Sequence, residues 1–306
     1  MITPDDISTA SERIKDHILR TPVATLPGFG LSFPIDVKFE QMQHMGNFKV
    51  RGAFNTMRAA SPGPAGYVAA SGGNHGASVA HAAKVLGHKA QIFVPEFAGP
   101  AKIGLIRSTG AALTVVPGTY AEAAEAAAAY QAETGATQIH PFDAPLTIAG
   151  QGTLMQEWEE QGLVADTVLI AVGGGGLIAG AMGWLGSRRR IIGVEPDLAP
   201  TLTHALDRGP ETEVDVSGVA VNALGARRIG RMCYDMAIAR NLTTVTVPDA
   251  AITAAQHALW QERRQLVEPA GAAALAALIC GAYRPEKDER VAVLICGANP
   301  SLDPFA

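Results

Sequence analysis

Cysteine is scarce in this chain. Three thiols, Cys233, Cys280 and Cys296, stand far apart among 306 residues, which is too few for a disulfide framework and offers no CxxC pair to hold zinc. That usage fits a reducing cytoplasm, the expected location. The opening MITPDDISTASERIKDH also lacks the apolar stretch of an export signal. Excess charge of either sign is missing: 24 basic and 29 acidic side chains leave a formal -5, so no electrostatic footprint for nucleic acid or an anionic membrane exists. Arg188, Arg189 and Arg190, the one cationic run, read as a solvated bend before a strand. Residues 167–187 carry no charge and have spanning length. A helix through Gly173, Gly174, Gly175 and Gly176 would bear the glycine penalty four times in succession. Strand, glycine loop and helix is the preferred reading, and no membrane partner is expected.

What the chain does have is core material, with 48% hydrophobic and 17% charged positions. Its length exceeds what one hydrophobic core usually serves, so two domains are expected. Apolar runs of strand length, at 35–40, 66–69, 90–94, 113–116, 167–172, 190–194 and 291–296, alternate with helical patterns such as 73–86, 120–134 and 249–265. Continuous apolar strands separated by helices specify an α/β class with parallel-rich sheets. Ligands of such sheets sit beyond the carboxyl ends of the strands, which directs attention to four loops. The alanine-rich helix within 120–134 is read as a good helix former and nothing more.

The GGGG loop, Gly173 to Gly176, leads from TVLIAV into a helix. Successive glycines let backbone N–H groups crowd around one point at a helix N-terminus, a cradle for phosphate. Gly174, Gly176 and Ala179 also fit GxGxxA, with Glu195 near the distance at which a dinucleotide fold places its ribose acid. Lys49 lies beside Phe48 at the start of a helix. A lysine amine desolvated against an aromatic ring has a lowered pKa and becomes a nucleophile towards a carbonyl. The SGGNH loop (Ser71, Gly72, Gly73, Asn74, His75) supplies free N–H groups and polar side chains for a carboxylate or phenolate, or simply caps a helix. His75 and His81 are six apart and do not share a helix face, so zinc ligation is not expected. The CGAN turn, Cys296 to Asn299, is the fourth loop, and only a few residues follow it, which leaves no expectation of an appended regulatory domain.

KFEQMQHMGNFKVRGA, ASGGNHG, AVGGGGLIAG, GVEP and LICGAN occur in the order found in pyridoxal-phosphate enzymes of fold type II, and the chain resembles the serine/threonine dehydratases within that group over nearly its whole length. The resemblance implies pyridoxal 5'-phosphate tethered through Lys49 and backed by Phe48, with Asn74 on the ring's phenolate oxygen. Ser71, Gly72, Gly73, Asn74 and His75 would grip the substrate carboxylate, while Gly173, Gly174, Gly175, Gly176 and Leu177 would cradle the phosphate. Cys296 would face the pyridine nitrogen, where most relatives carry serine, and Glu268 of VEPAGAAA would lie near the ring. A neutral thiol there leaves the ring a weaker electron sink, which favours rapid β-elimination over long-lived carbanion chemistry.

The implied activity is an ammonia-lyase (dehydratase) converting a β-hydroxy amino acid, threonine or serine first, to a 2-oxo acid and ammonia. A homodimer is implied as well, with a large cofactor-binding domain (1–40 plus 141–306) and a small substrate-loop domain (41–140). Met45 and Asn47 depart from the family's TGSFK and replace two hydroxyls, leaving specificity open to bulkier substrates such as phenylserine or hydroxyaspartate. Gly72 stands where a related racemase keeps its acid serine, so racemisation is expected to be weak. Thr201 replaces the aspartate with which some relatives, together with residues matching Glu195 and Ala199, hold a cation, so no metal is expected. A nicotinamide-dependent oxidoreductase and a non-catalytic binder of the cofactor are the readings from other classes.

Overall fold

Strand-forming runs interrupted by capped helices dictate the architecture, and a computed structural model, which describes residues 1–298, gives their arrangement. The strands are β1 (Val23–Gly28), β2 (Leu31–Phe39), β3 (Tyr67–Ala70), β4 (Ala90–Pro95), β5 (Ala112–Val116), β6 (Thr137–Gln138), β7 (Thr167–Ala171), β8 (Arg190–Pro196), β9 (Thr243–Val247) and β10 (Val291–Ile295). The helices are α1 (Pro4–Ile14), α2 (Lys49–Ala59), α3 (Asn74–Leu86), α4 (Pro100–Ser108), α5 (Tyr120–Thr134), α6 (Pro145–Glu160), α7 (Gly176–Leu185), α8 (Thr201–Arg208), α9 (Val221–Leu224), α10 (Arg231–Ala239), α11 (Asp249–Arg263) and α12 (Pro269–Ile279). Among the described residues the strands form two sheets, ordered β1-β2-β10-β7-β8-β9 and β5-β4-β3-β6. Only the β1–β2 hairpin is antiparallel, so the class is α/β with parallel-rich sheets, as the apolar runs require.

The runs buried on both faces, such as β3, β7 and β10, are the ones visible in the sequence. The unexpected strands, β1, β6 and β9, are sheet edges. Their residues are largely half-exposed, so they show no continuous apolar run. Arg189 corrects an expectation. Its guanidinium folds back to donate to Ala165 O and to Leu163 O and pairs with Glu159, so this one arginine ties the end of α6 to the start of β8, while Arg188 and Arg190 are exposed as expected. Residues 167–187 resolve into β7, the glycine loop and α7, and among the described residues no helix is long and apolar enough to cross a membrane.

Helix α6 is the spine between the two sheets. It packs on α2 through Gly150 against Gly52, and on α7 through Gly152 against Gly180. A Cβ at any of these four positions would strike the backbone or a side chain of a neighbouring helix. Absence of side chains there brings α2, which begins at Lys49, and α7, which begins at the glycine loop, both close against α6. The loops that follow β2, β3, β6, β7 and β10 therefore converge at the carboxyl ends of both sheets.

Candidate active site

The segment carrying Lys49 is held by backbone and side-chain bonds that its own sequence supplies. Residues 40–42 and 44–46 form two 3-10 turns after β2. Met45 and Gly46 both take positive φ, at 57° and 69°; for a methionine this conformation costs about 1 kcal/mol. Asn47 is buried, and its amide is tied at both ends: Nδ2 donates to Met45 O (2.8 Å), while Oδ1 accepts from Lys49 N (3.0 Å) and Ser78 Oγ (3.1 Å). Gly46 O accepts from Ala298 N at 2.8 Å, and Phe48 N donates to Cys296 O at 3.4 Å. The lysine segment is thus pinned to the turn after β10, whose last residue, Asn299, lies outside the described residues.

Lys49, Phe48, Asn74, Gly173, Gly174, Gly175, Gly176, Leu177, Glu268 and Cys296 line one cavity. The structure therefore brings together every expected cofactor contact from five separate stretches of chain. The half-buried Lys49 directs its Nζ to Pro141 O at 3.1 Å, 5.3 Å from the centre of the Phe48 ring. Burial pulls its pKa down to about 8, against opposing pulls from Cys296 and Glu268. Burial pushes the Cys296 thiol up to about 12, with Glu268 adding to it, so sulfur stays protonated and donates to Ala270 O at 3.5 Å. Asn74 Nδ2 donates to Glu268 Oε1 at 2.6 Å, which fixes the orientation of its amide.

The glycine loop is shaped by packing on three sides. A Cβ at Gly173 would strike Leu224; at Gly174 and Gly176, Phe142; at Gly175, whose φ is +93°, Cys233. On the fourth side lies the cavity. Among the described residues, none of the N–H groups from Gly173 to Leu177 donates to another backbone or side-chain group. Five unused donors at the start of a helix form a ready-made anion site. A phosphate beside a carbonyl-reactive amine satisfies both requirements of the site, and the residues present fit pyridoxal phosphate.

Ser71, Gly72, Gly73 and His75 do not line this cavity; of the SGGNH loop only Asn74 does. The loop is nevertheless built for an anion at its edge. Ser71 Oγ accepts from Gly73 N at 3.1 Å, while the N–H groups of Gly72 and His75 have no acceptor among the described residues. The His75 ring turns away, with Nε2 2.8 Å from Ile139 O. Burial, reinforced by Lys49, drives its pKa down to about 3. It is a neutral tie between loops. Met45 and Asn47 are not in the cavity wall either, so their departure from the family pattern acts on the lysine loop and leaves the wall unchanged. Glu195, the acid of both the dinucleotide and the cation alternatives, is consumed internally: Oε1 accepts from Leu202 N (2.6 Å) and Oε2 from Thr203 N (2.8 Å) and Thr203 Oγ (2.6 Å), capping α8.

Two wall segments have no counterpart in the sequence reading. The turn after β6 places Pro141 and Phe142, and α9 places Ala223 and Leu224. The first had a signal, since His-Pro-Phe-Asp-Ala directly before Pro145 marks a turn into a helix. Within it His140 Nδ1 accepts from Asp143 N at 2.8 Å, and Asp143 accepts from Arg231 N and Met232 N at the start of α10. The four-residue α9 is too short to leave a periodicity.

Comparison with known proteins places this geometry in a family. The profile described as pyridoxal-phosphate dependent enzyme matches residues 14–297. The chain is 36% identical to an L-threonine ammonia-lyase of Geobacter sulfurreducens over 89% of this chain and 70% of that protein. It is 32% identical to a phenylserine dehydratase of Ralstonia pickettii over 96% and 92%. A crystal structure of a T.th. threonine deaminase superposes with a TM-score of 0.91 at 34% identity, covering 99% of this chain and 100% of that one. With an amine-bearing cavity, an anion cradle and these likenesses in agreement, the chain belongs to the pyridoxal-phosphate dependent enzymes, in the fold type II serine/threonine dehydratase group.

Proposed function

We propose that the protein is a pyridoxal-phosphate dependent ammonia-lyase that eliminates water from a β-hydroxy amino acid, threonine or serine, giving a 2-oxo acid and ammonia. The observation that carries this is Lys49 Nζ facing a cavity rimmed by the five unused N–H donors of residues 173–177. When bound, pyridoxal phosphate supplies a carbonyl carbon that captures amines and a ring that withdraws electrons from the substrate's Cα. Lys49 holds the group covalently, and its freed amine, with a pKa of about 8, accepts the proton from Cα. Residues 173–177 hold the phosphate by N–H donation. Gly72 and His75 orient the substrate carboxylate with theirs. Asn74, locked by Glu268, would face the phenolate oxygen, and the un-ionised Cys296 thiol would meet the ring nitrogen without adding charge. Coupled detection of 2-oxo acid and ammonia from threonine and serine tests this directly, and absence of both products would sink it.

Two further results are expected. Replacing Cys296 by Asp puts an anion where the thiol stands, so dehydration is slowed and the Cα proton exchanges with solvent faster than water is lost; deuterium incorporation into recovered substrate reads this. A chelator leaves the rate unchanged, because the Glu195 oxygens already take the N–H groups of 202 and 203; a loss restored by Mg²⁺ or Ca²⁺ would contradict it. We further propose a cytoplasmic homodimer with a large unit of 1–40 plus 141–306 and a small unit of 41–140. Support comes from the three free cysteines and from the confinement of one sheet to residues 67–138. Light scattering on a sizing column tests the dimer.

A further inference from the structure

We propose that Asn47 is a positioning residue for Lys49: its amide ties the first turn of α2 to α3, the helix that carries Asn74, and so fixes where the lysine amine meets the cofactor's aldehyde. This rests on Lys49 as the point of attachment and is independent of which group leaves from the substrate.

Helix α2 starts without an ordinary cap. Its N-cap residue, Phe48, makes no side-chain hydrogen bond, and the first N–H of the helix, that of Lys49, is one of the orphan donors of any helix start. Asn47 Oδ1 takes that donor at 3.0 Å from two residues back, and Nδ2 donates to Met45 O at 2.8 Å. Those two partners fix which way round the amide lies, since the reverse would set N–H against N–H and oxygen against oxygen. The bond to Met45 O also helps to hold that residue at its positive φ of 57°.

Ser78 supplies the second link. Its hydroxyl donates to the same Oδ1 at 3.1 Å, and both residues are fully buried, at 0% exposure, so water does not compete for these atoms. Ser78 stands four residues after Asn74 on α3 and therefore on the same helix face. Lys49 and Asn74 line one cavity from two different helices, and the Asn47 amide bonds to both helices. The aldehyde and the hydroxyl of pyridoxal sit on neighbouring ring carbons, so an amine and an amide that serve them need a fixed separation, and a misplacement of about 1 Å costs about 100-fold in rate. Other contacts keep the loop docked when the amide is lost: Phe48 N on Cys296 O, Ala298 N on Gly46 O, and the rings of His44 and His81, 5.0 Å apart. Loss of Asn47 thus changes the aim of the lysine more than the assembly of the loop.

The test is capture of pyridoxal phosphate by the full chain freed of cofactor. Its rate is followed through the visible band across pH, and borohydride reduction with peptide mass fixes the point of attachment. In Asn47→Ala the rate at about pH 7 is expected to fall at least about 10-fold. Because the first turn of α2 loosens and admits water to the amine, the midpoint of the pH profile should also rise by at least about half a unit towards that of an ordinary lysine. A variant that is merely less stable loses folded protein and keeps its midpoint. Asn47→Ser retains an oxygen for Lys49 N and should lie closer to the unmodified protein than to Asn47→Ala. Ser78→Ala is expected to slow capture about 3-fold, the worth of one hydrogen bond. With both links running through one amide, Asn47→Ala combined with Ser78→Ala should be no slower than Asn47→Ala alone. Capture at Lys49 with rate and midpoint unchanged in Asn47→Ala, or losses that multiply in the double variant, overturns the proposal while leaving the attachment intact. Ser78→Ala removes a single atom from the core, so an unmoved rate there overturns it even where Asn47→Ala fails to fold. Absence of a pyridoxyl group at residue 49 of the unmodified protein removes the attachment itself, so the two failures are distinct.

Discussion

Lys49→Ala is expected to lower 2-oxo acid formation by about four orders of magnitude or more, because in the proposed reaction one atom both holds the cofactor and moves the Cα proton. Reduction of the unmodified protein with borohydride should fix a pyridoxyl group at residue 49 by peptide mass, and the variant should show none. Lys49→Arg separates charge from chemistry: it keeps a cation in the cavity but has no amine that can bond to the aldehyde, and it should fail as completely as alanine. The pKa adds a pH signature. Only the neutral amine attacks an aldehyde, and burial brings Lys49 to about 8, so capture of pyridoxal phosphate by the apo-protein should be slow at about pH 6 and rise to a plateau above about pH 8. An exposed lysine would need a pH roughly two units higher for the same gain. A capture rate still climbing steeply from about pH 9 to 11 would mean that the lysine is not desolvated, and retained turnover in Lys49→Ala would remove its role altogether.

The chemistry was easiest to read where the residue type itself is the chemistry. Four consecutive glycines announce a backbone surface, and the structure gives a double reason for them: Leu224, Phe142 and Cys233 press on three sides, and N–H donors line the fourth. Lys49 was legible as a reactive amine, and the family resemblance of the short motifs around it and Cys296 implied which segments meet. Harder to see were contributions that depend on a partner distant in sequence. Pro141 O, the acceptor for Lys49 Nζ, is a backbone atom with no signature of its own. Leu224 reaches the wall from a single helical turn between two longer helices.

His75 shows the opposite error. Its place in SGGNH suggests a side chain that helps to grip the substrate carboxylate, yet the fold uses the ring as a tether to Ile139 O and holds it neutral. Similarly Asn47, which reads as an altered substrate contact, spends its amide on Met45, Lys49 and Ser78. In each case the sequence identified the loop correctly, and only the third dimension decided which way the side chain turned.

Arg51→Met is expected to cost about 3–5 kcal/mol of stability, the usual result of breaking a buried ion pair on one side. Arg51 lies on α2, separated from Lys49 by Val50 alone, and it is fully buried. Its guanidinium forks onto Glu40 at 2.6 and 3.0 Å and reaches Glu157 of α6 at 2.9 Å. Lys38 of β2 closes the set: Nζ has three acceptors, Glu157 Oε1 (2.7 Å), Gln161 Oε1 (2.8 Å) and Thr21 O (3.2 Å). Burial lowers the Lys38 pKa in spite of Glu157, but three acceptors match the three donors of an ammonium, and the geometry identifies Lys38 as charged. Burial raises the Glu157 carboxyl, and Arg51 and Lys38 outweigh it, so the net pKa is lowered. Two cations and two anions thus balance between β2, α2 and α6. Arg51→Met leaves an unmatched anion and loosens the helix that begins at Lys49. Arg51→Met combined with Glu40→Gln restores neutrality around Lys38 and Glu157 and should recover about 1–3 kcal/mol of the loss, the size of coupling found within one network. The depressed carboxyl of Glu157 contributes stability that is present above its unfolded pKa and lost as pH falls through the folded one. Acid unfolding of the unmodified protein should therefore move to higher pH when Glu157 is changed to Gln with Lys38 and Arg51 intact. Urea titrations of the three variants at neutral pH decide the matter, and a loss under about 1 kcal/mol for Arg51→Met would reduce the network to a satisfied but dispensable set of bonds.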